Sequence, residues 1–314
     1  MDGDKFMKIY NDINEFQEIN NAVVTIGLFD GVHLGHVKIL DRLKKIAQNE
    51  QGETLAITFN PHPRLVLNKE NAQIKLLNSL PEKIKLLEKA GLDHLLIIPF
   101  TEKFAELSPD EFIGRILIEK IHPSHVVVGY NHTFGKNAGG DFIDLRNFAI
   151  EKKFKVEEVA AQKLGKAGIS SSKIRLLLEK GEIEEANAML GYPYFISGKV
   201  VRGQQLGKLL GFPTANIELE DKNKLIPAKG VYACRVERQG KIYKGMANIG
   251  NRPTVNGSSL TIEANIFDFD DDIYYETISI HLIARIRDEK KFGSLDLLKK
   301  QLSEDRESIS KMLI

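Results

Sequence analysis

The chain has 314 residues, about two domains by the usual size prior, and its 42% hydrophobic content is enough to bury ordinary cores. Lys and Arg number 44 against 43 Asp and Glu, a formal charge of +1, so no global field recruits nucleic acid or an anionic membrane and phosphate-binding charge must be local. A single cysteine, Cys234, excludes an intramolecular disulfide and a Cys-rich metal site; it fits a reducing cytosol and is expected to be buried and inert. The first residues lack the basic-then-apolar layout of a signal peptide, and no apolar run approaches the ~20 residues of a membrane span.

Val23 to Ile26 is a β-branched apolar run that passes through Gly27, Gly31 and Gly35 into a helical pattern of Ile39, Leu40, Leu43, Ile46 and Ala47. A strand entering a helix through glycines is how an α/β fold presents a nucleotide: glycine admits close backbone approach, and first-turn N–H groups face a phosphate. Thr54 to Phe59 is a second strand, ending in Asn60-Pro61-His62-Pro63, a rigid loop whose two prolines forbid regular pairing. Pro81 to Ala90 reads as a helix stopped by Gly91, His94 to Ile98 as a third strand, Ser108 to Glu119 as a helix, and Ser124 to Val128 as a fourth strand closed by Gly129. Asp141 to Lys152 is helical, Lys155 to Val159 a fifth strand, and Gly168 to Ser172 a loop whose serines can cap the next helix. This alternation predicts a parallel sheet with right-handed crossovers.

After a short acidic helix, Glu182 to Leu190, the pattern breaks at Gly191-Tyr192-Pro193-Tyr194, so the domain boundary is placed at about residue 187, giving 1–186 and 187–314. Beyond it come short β segments: Phe195 to Val201, Gly230 to Glu237, Lys241 to Ile249, Leu260 to Phe267 and Thr277 to Arg285. They predict a small antiparallel barrel, with no helix before a C-terminal one at Leu295 to Leu302.

His33 and His36 lie three apart at a helix start and share a face, where a nucleotide's phosphates would be polarised; two histidines alone could equally be a partial metal site or ordinary surface. The stretch from Gly27 to His36 resembles the His-x-Gly-His signature of the nucleotidyltransferase superfamily, and with Phe29-Asp30-Gly31 ahead of it, the N-terminal module of bacterial FAD synthetases. The run Ile169 to Arg175 is similar to that family's Ile-Ser-Ser-x-x-x-Arg motif, and its hydroxyls and Arg175 at a helix N-terminus suit a triphosphate. Phe59 to Pro63 resembles the Phe-x-Pro-His-Pro loop, and Gly129 to Gly135 the Gly-x-Asn-Phe-x-Phe-Gly loop, with His132 where the family has Phe. The resemblance implies a Rossmann-like nucleotidyltransferase domain in which Gly27, Phe29, Asp30, Gly31, Gly35, Ser170 and Ser171 bind nucleotide, Asn60, His62, Pro63 and Asn131 bind flavin, and His33, His36 and Arg175 stabilise the transferring phosphate.

In the second domain, Gly203 to Lys208 superficially suggests a P-loop but lacks one spacer, and Leu209 stands where a hydroxyl residue would hold Mg²⁺; Gly203, Gly207 and Lys208 are nonetheless expected beside the nucleotide. Gly211 to Asn216 follows, and if extended it projects Thr214 and Asn216 to one side as two neutral oxygen ligands for Mg²⁺. This segment resembles the Gly-x-Pro-Thr-Ala-Asn signature of riboflavin kinases. The likeness continues through Asn248 to Thr254, Thr261 to Asp268 and Arg287 to Phe292, with Asn265 where the family has His and Tyr275 where it has Gly. The resemblance implies Glu263 as the general base, Arg252 and Arg287 beside the flavin, and a chain that phosphorylates riboflavin with ATP to FMN and then adenylylates FMN to FAD, using Mg²⁺. Two other readings stay open on sequence: a nucleotidyltransferase for another phosphorylated vitamin, and a flavin-binding regulator without catalysis.

Overall fold

The computed structural model describes residues 6–67, 74–165, 167–203, 206–254 and 257–313, with the backbone alone at 167, 206, 252–254 and 257–259. The chain divides into two compact units, Met1–Ser171 and Ser172–Ile314.

The first unit runs β1 (Lys8–Tyr10), β2 (Val23–Ile26), α1 (Leu34–Glu50), β3 (Thr54–Asn60), α2 (Pro63–Leu67), α3 (Leu80–Lys89), β4 (His94–Pro99), α4 (Glu102–Ala105) and α5 (Pro109–Phe112), which continues as a π-helix over Ile113–Ile121. Then come β5 (His125–Gly129), α6 (Phe142–Lys152), β6 (Lys155–Val159) and a small antiparallel pair, β7 (Lys163–Leu164) and β8 (Ala167–Gly168). The sheet order is β1-β4-β3-β2-β5-β6, parallel throughout. Such a sheet must be covered on both faces, and its strands alternate accordingly. Val24, Ile26, Leu55, Ile57, Val126 and Val128 pack toward the π-helix and α6. Val23, Ala56, Leu95, Ile97 and Val127 pack toward α1 and α3.

Local chemistry fixes the helices that matter below. Ser79 and Glu82 form a capping box on α3, Pro81 sits in its first turn, and Gly91 follows with φ +78°, the left-handed stop that glycine adopts freely. α1 buries Leu40, Leu43, Ile46 and Ala47 along one face. Pro63 opens α2 instead of extending the expected loop, because proline's fixed φ suits a first helical position. The three-residue edge strand β1 was not anticipated.

The second unit holds α7 (Ser171–Lys180) from its second residue, α8 (Ile183–Leu190), β9 (Phe195–Val201), α9 (Leu206–Leu209), β10 (Ala215–Glu218), β11 (Gly230–Arg238), β12 (Lys241–Thr254), β13 (Gly257–Ile266), β14 (Thr277–Arg287) and α10 (Leu295–Met312). Six strands close a barrel in the order β10-β13-β12-β11-β14-β9. Closure depends on β10, which pairs with β9 on one side and β13 on the other. Two expectations need correction: α9 adds one helical turn inside the barrel domain, and the C-terminal helix runs to Met312, not Leu302. Its extra turns are held through buried Asp305 and Ile309 rather than by a broad apolar stripe. Cys234 is fully buried, and burial pushes its thiol pKa up, as expected of an inert residue.

Candidate functional site

In the first unit the chain leaves β2 to one side through β3 and β4, and later fills the other side with β5 and β6. Strand order therefore reverses between β2 and β5, and ligands of open α/β sheets bind at the carboxyl ends of such strands. Both candidate loops, residues 27–33 and 129–135, leave the sheet there.

The first loop is strained. Phe29 and Val32 hold positive φ of 48° and 35° on either side of Gly31 at 89°, a conformation that costs non-glycine residues about 1–3 kcal/mol each. What it achieves is ring placement. Phe29 is buried and meets His36 edge-on at 5.4 Å, and the His33 and His36 rings stack at 3.7 Å with 12° between their planes. His33 is also the N-cap of α1, its Nδ1 accepting the His36 N–H at 3.4 Å. With Nδ1 an acceptor, the ring proton sits on Nε2. The His33 carbonyl accepts from His36 and Val37 N–H, so the N–H groups of Leu34 and Gly35 have no backbone partner among the described residues. A Cβ on Gly35 would lie 3.0 Å from the His33 ring, and one on Gly27 3.1 Å from the Phe29 ring, which explains both glycines.

Burial governs the charge of the pair. It holds the His33 pKa down at about 4. His36 is lowered further, by burial first and then by the charges of His33 and Lys83. Both rings are neutral at pH 7 and act as hydrogen-bond donors, not cations. Asp30 is buried and organises the surroundings: its Oδ1 accepts from Leu77 N–H at 2.9 Å and Asn78 N–H at 3.4 Å, and its carbonyl accepts from Ser171 Oγ at 2.8 Å. Asp30 thus ties the histidine loop to both the start of α3 and the Ser170-Ser171 segment. Arg175 lies on α7, in the second unit.

Lys83 escaped the sequence reading. Placed between Glu82 and Ile84 it reads as a solvated helix lysine, yet it is 7% exposed and close enough to His36 and Asp30 to interact with both. The remaining first-unit residues lie at the same edge of the sheet. Asn60 ends β3, His62 is buried with Nδ1 accepting from Arg64 N–H at 3.2 Å, and Asn131 is exposed in the loop after β5. His132, where the family has Phe, stacks on core residue Phe134 at 6.0 Å, and burial holds its pKa at about 4.

In the barrel the Gly211 to Asn216 motif resolves into separate tasks. Phe212 anchors it in an apolar cluster with Met246, Phe267 and Ile309. The Pro213 carbonyl accepts from buried Asn265 Nδ2 at 2.6 Å. Thr214 Oγ1 donates to Glu263 Oε2 at 3.3 Å, and Asn216 pairs directly with Glu263 across β10 and β13. Gly203 lies against the Asn216 side chain and Gly207 against the Phe212 carbonyl and Thr214, so a Cβ at either would collide. Lys208 is exposed on α9. One wall of the barrel therefore gathers Gly203, Gly207, Thr214, Asn216 and Glu263. Its oxygens are hard donors, which fit a divalent cation that also takes phosphate and water. No cluster of three or more His, Cys, Asp or Glu able to hold a metal occurs among the described residues.

The two departures from the kinase pattern have structural answers. Asn265 supplies the donor that fixes Pro213 ahead of Thr214. Tyr275 keeps φ at +69°, the left-handed conformation a glycine would favour, so the turn is retained at a cost of about 1–2 kcal/mol. Arg287 is engaged: its guanidinium makes bonds of 2.7 to 3.1 Å to buried Asp305, tying β14 to α10, and stands 5.8 Å over Phe292. The Arg252 side chain lies outside the described residues. A cavity of about 650 Å³ that the sequence did not indicate is lined by Ile226, Pro227, Leu260, Arg285 and Glu289 among others.

Residues 15–173 match the family model described as FAD synthetase, and residues 190–313 the one described as riboflavin kinase. Similar curated proteins named bifunctional riboflavin kinase/FMN adenylyltransferase occur in Listeria monocytogenes (39% identical, covering 94% of this chain and 93% of that one) and in Bacillus subtilis (38%, covering 93% and 92%). Another, from Escherichia coli, is 35% identical and covers 95% of this chain and 96% of that one. A crystal structure titled a macrolide-efflux protein from Streptococcus pneumoniae superposes with a TM-score of 0.88 at 32% identity, covering 97% of this chain and 99% of that one. Among the described residues, no helix of this chain is long and apolar enough to cross a membrane. With both family models matched in order and relatives aligned over nearly their full length, the chain belongs to the bifunctional riboflavin kinase/FMN adenylyltransferase family.

Proposed function

We infer that the chain makes both flavin coenzymes in succession, phosphorylating riboflavin with ATP to FMN and joining FMN to the AMP moiety of a second ATP to give FAD and pyrophosphate. Kinase chemistry is assigned to residues 187–314 and adenylyl transfer to 1–186. The observation that carries the first assignment is the Thr214–Glu263 contact on the barrel wall opposite Asn216. Glu263 accepts the proton of the ribityl 5′-hydroxyl as that oxygen bonds to the γ-phosphorus and ADP departs. Mg²⁺, held by Thr214 Oγ1 and Asn216 Oδ1, would supply Lewis-acid neutralisation of phosphate charge. The cavity's Ile226, Pro227 and Leu260 offer an apolar face for the flavin ring, while Arg287 acts indirectly, by holding α10.

In the second reaction the FMN phosphate is itself the nucleophile, so no covalent residue is needed, only alignment and charge stabilisation. His33 Nε2–H, the His36 ring and the Leu34 and Gly35 N–H groups meet the triphosphate. Arg175 and Ser170 are assigned to phosphate by their motif, and Asn60, His62, Pro63 and Asn131 to the flavin end. A cytoplasmic location is assigned because it supplies ATP and suits a chain whose single cysteine is free and buried.

The test is chromatography of the full chain with riboflavin, ATP and Mg²⁺. FMN appears first and FAD follows; flavin binding without either product would favour the regulator instead.

A further inference from the structure

Lys83 is the fourth residue of α3, is 7% exposed, and has no hydrogen-bond or ion-pair acceptor at Nζ among the described residues. Its stem is buried while the ammonium keeps a small solvent-facing edge and no protein acceptor among the described residues, a costly placement for a charge whose pKa burial pushes down. Its position adds to the cost. Helical side chains lean toward the helix N-terminus, where the macrodipole is positive, so α3 itself opposes the charge that Lys83 carries. Asp30 offsets part of this, but its carboxylate is already engaged by the N–H groups of Leu77 and Asn78, just ahead of α3. An uncharged side chain of similar length would fill this space without penalty, so the amine is retained for a group that arrives from outside. It stands within electrostatic reach of His36, beside the open N-terminus of α1.

We propose that Lys83 is a phosphate-binding residue of the adenylyl-transfer site, its ammonium meeting the pyrophosphate end of ATP beside His33 and His36. The assignment rests on the reading of the histidine pair given above. In that reaction an FMN phosphate oxygen forms a bond to the α-phosphorus while the bond from that phosphorus to the bridging oxygen breaks. Pyrophosphate leaves with the electron pair, and Lys83 transfers no proton. Its charge opposes the negative charge gathering on the leaving oxygens, a task suited to a compact ammonium on a flexible stem.

Lys83→Met keeps the stem and removes the charge. FMN adenylylation by the full chain is measured at varied ATP and varied FMN, with inorganic pyrophosphate as an inhibitor against ATP and riboflavin phosphorylation as a control on the same molecules. The expected result is a fall of about 100-fold in kcat/KM for ATP and a rise of about tenfold in the pyrophosphate inhibition constant, with KM for FMN within about threefold and phosphorylation unchanged. Lys83→Arg recovers part of the loss. An unchanged kcat/KM for ATP overturns the proposal, as does a loss shared equally by ATP and FMN with a lower melting temperature, which would make Lys83 a support for Asp30. His36→Ala, run in parallel, separates two failures. If it abolishes adenylylation while Lys83→Met does not, only the lysine's assignment falls; if neither substitution matters, the reading of the histidine site falls with it.

Discussion

Asn265 is the residue at which the kinase site departs from its family, and it provides a sharp test of how the barrel wall is held. Its amide donates to the Pro213 carbonyl at 2.6 Å, one residue before Thr214, and the side chain is 3% exposed. Asn265→Ala removes that donor. A lost buried hydrogen bond costs about 1 kcal/mol net, rising to about 3 when the abandoned carbonyl stays dry. If the loop adopts its working position only with that bond in place, the whole cost enters kcat/KM for riboflavin phosphorylation, a loss of roughly 5- to 150-fold at 1.36 kcal/mol per decade. FMN formation is followed by fluorescence after chromatographic separation, at saturating ATP. Adenylylation of supplied FMN serves as the control and stays unchanged. Asn265→His, which restores the family's residue, keeps a ring donor and loses less. Phosphorylation within twofold of wild type, together with stability lowered by about 1 kcal/mol or more, would refute the reasoning and leave Asn265 as packing alone.

Three further predictions concern the frame of the two sites. The unfolded chain protonates His33 at its ordinary value near 6.5 and the folded chain only at about 4, so between those values the unfolded state holds more protons and acid favours unfolding. Stability of the ligand-free protein therefore falls as pH drops from about 6.5 toward 4, by about 3 kcal/mol from His33 with His36 adding in the same direction, and His33→Gln flattens the slope of a melting series. Asp305→Ala leaves Arg287 without its buried partner and costs about 3 kcal/mol, the lower end for such pairs because the arginine keeps some contact with water; denaturant unfolding of the full chain measures it. Gly35→Ala gains up to about 1 kcal/mol of helix propensity but sets a methyl 3.0 Å from the His33 ring, so it slows adenylylation while the melting temperature holds or rises.

The fold was legible in the sequence where pattern and burial coincide. The β2–α1 entrance and strand β5 could be read from β-branched runs and glycine stops, because a parallel sheet buries both faces and leaves continuous apolar segments. What stayed hidden depends on partners distant in sequence. β10 has four residues and owes its existence to pairing with β9 and β13. The last turns of α10 look polar, since they bury only Ile309 beyond the ion pair between Asp305 and Arg287 rather than a broad apolar stripe. Lys83 is the clearest case: in sequence it is an ordinary charged position of an amphipathic helix, and its burial follows only from how α3 packs against the sheet. The candidate site residues were found through motifs. The neutrality of the stacked histidines could not be, because it arises from a 3.7 Å ring contact and from burial.

The central claim, two separate reactions run by two separate clusters, is tested most directly by assaying Glu263→Gln and His36→Ala side by side. Each is supplied once with riboflavin and once with FMN, and the products are separated chromatographically. Glu263→Gln is expected to form no FMN from riboflavin while converting supplied FMN to FAD at the wild-type rate. His36→Ala is expected to accumulate FMN and make no FAD from either flavin. Loss of both products in either variant, or FMN formation surviving Glu263→Gln, would contradict the account.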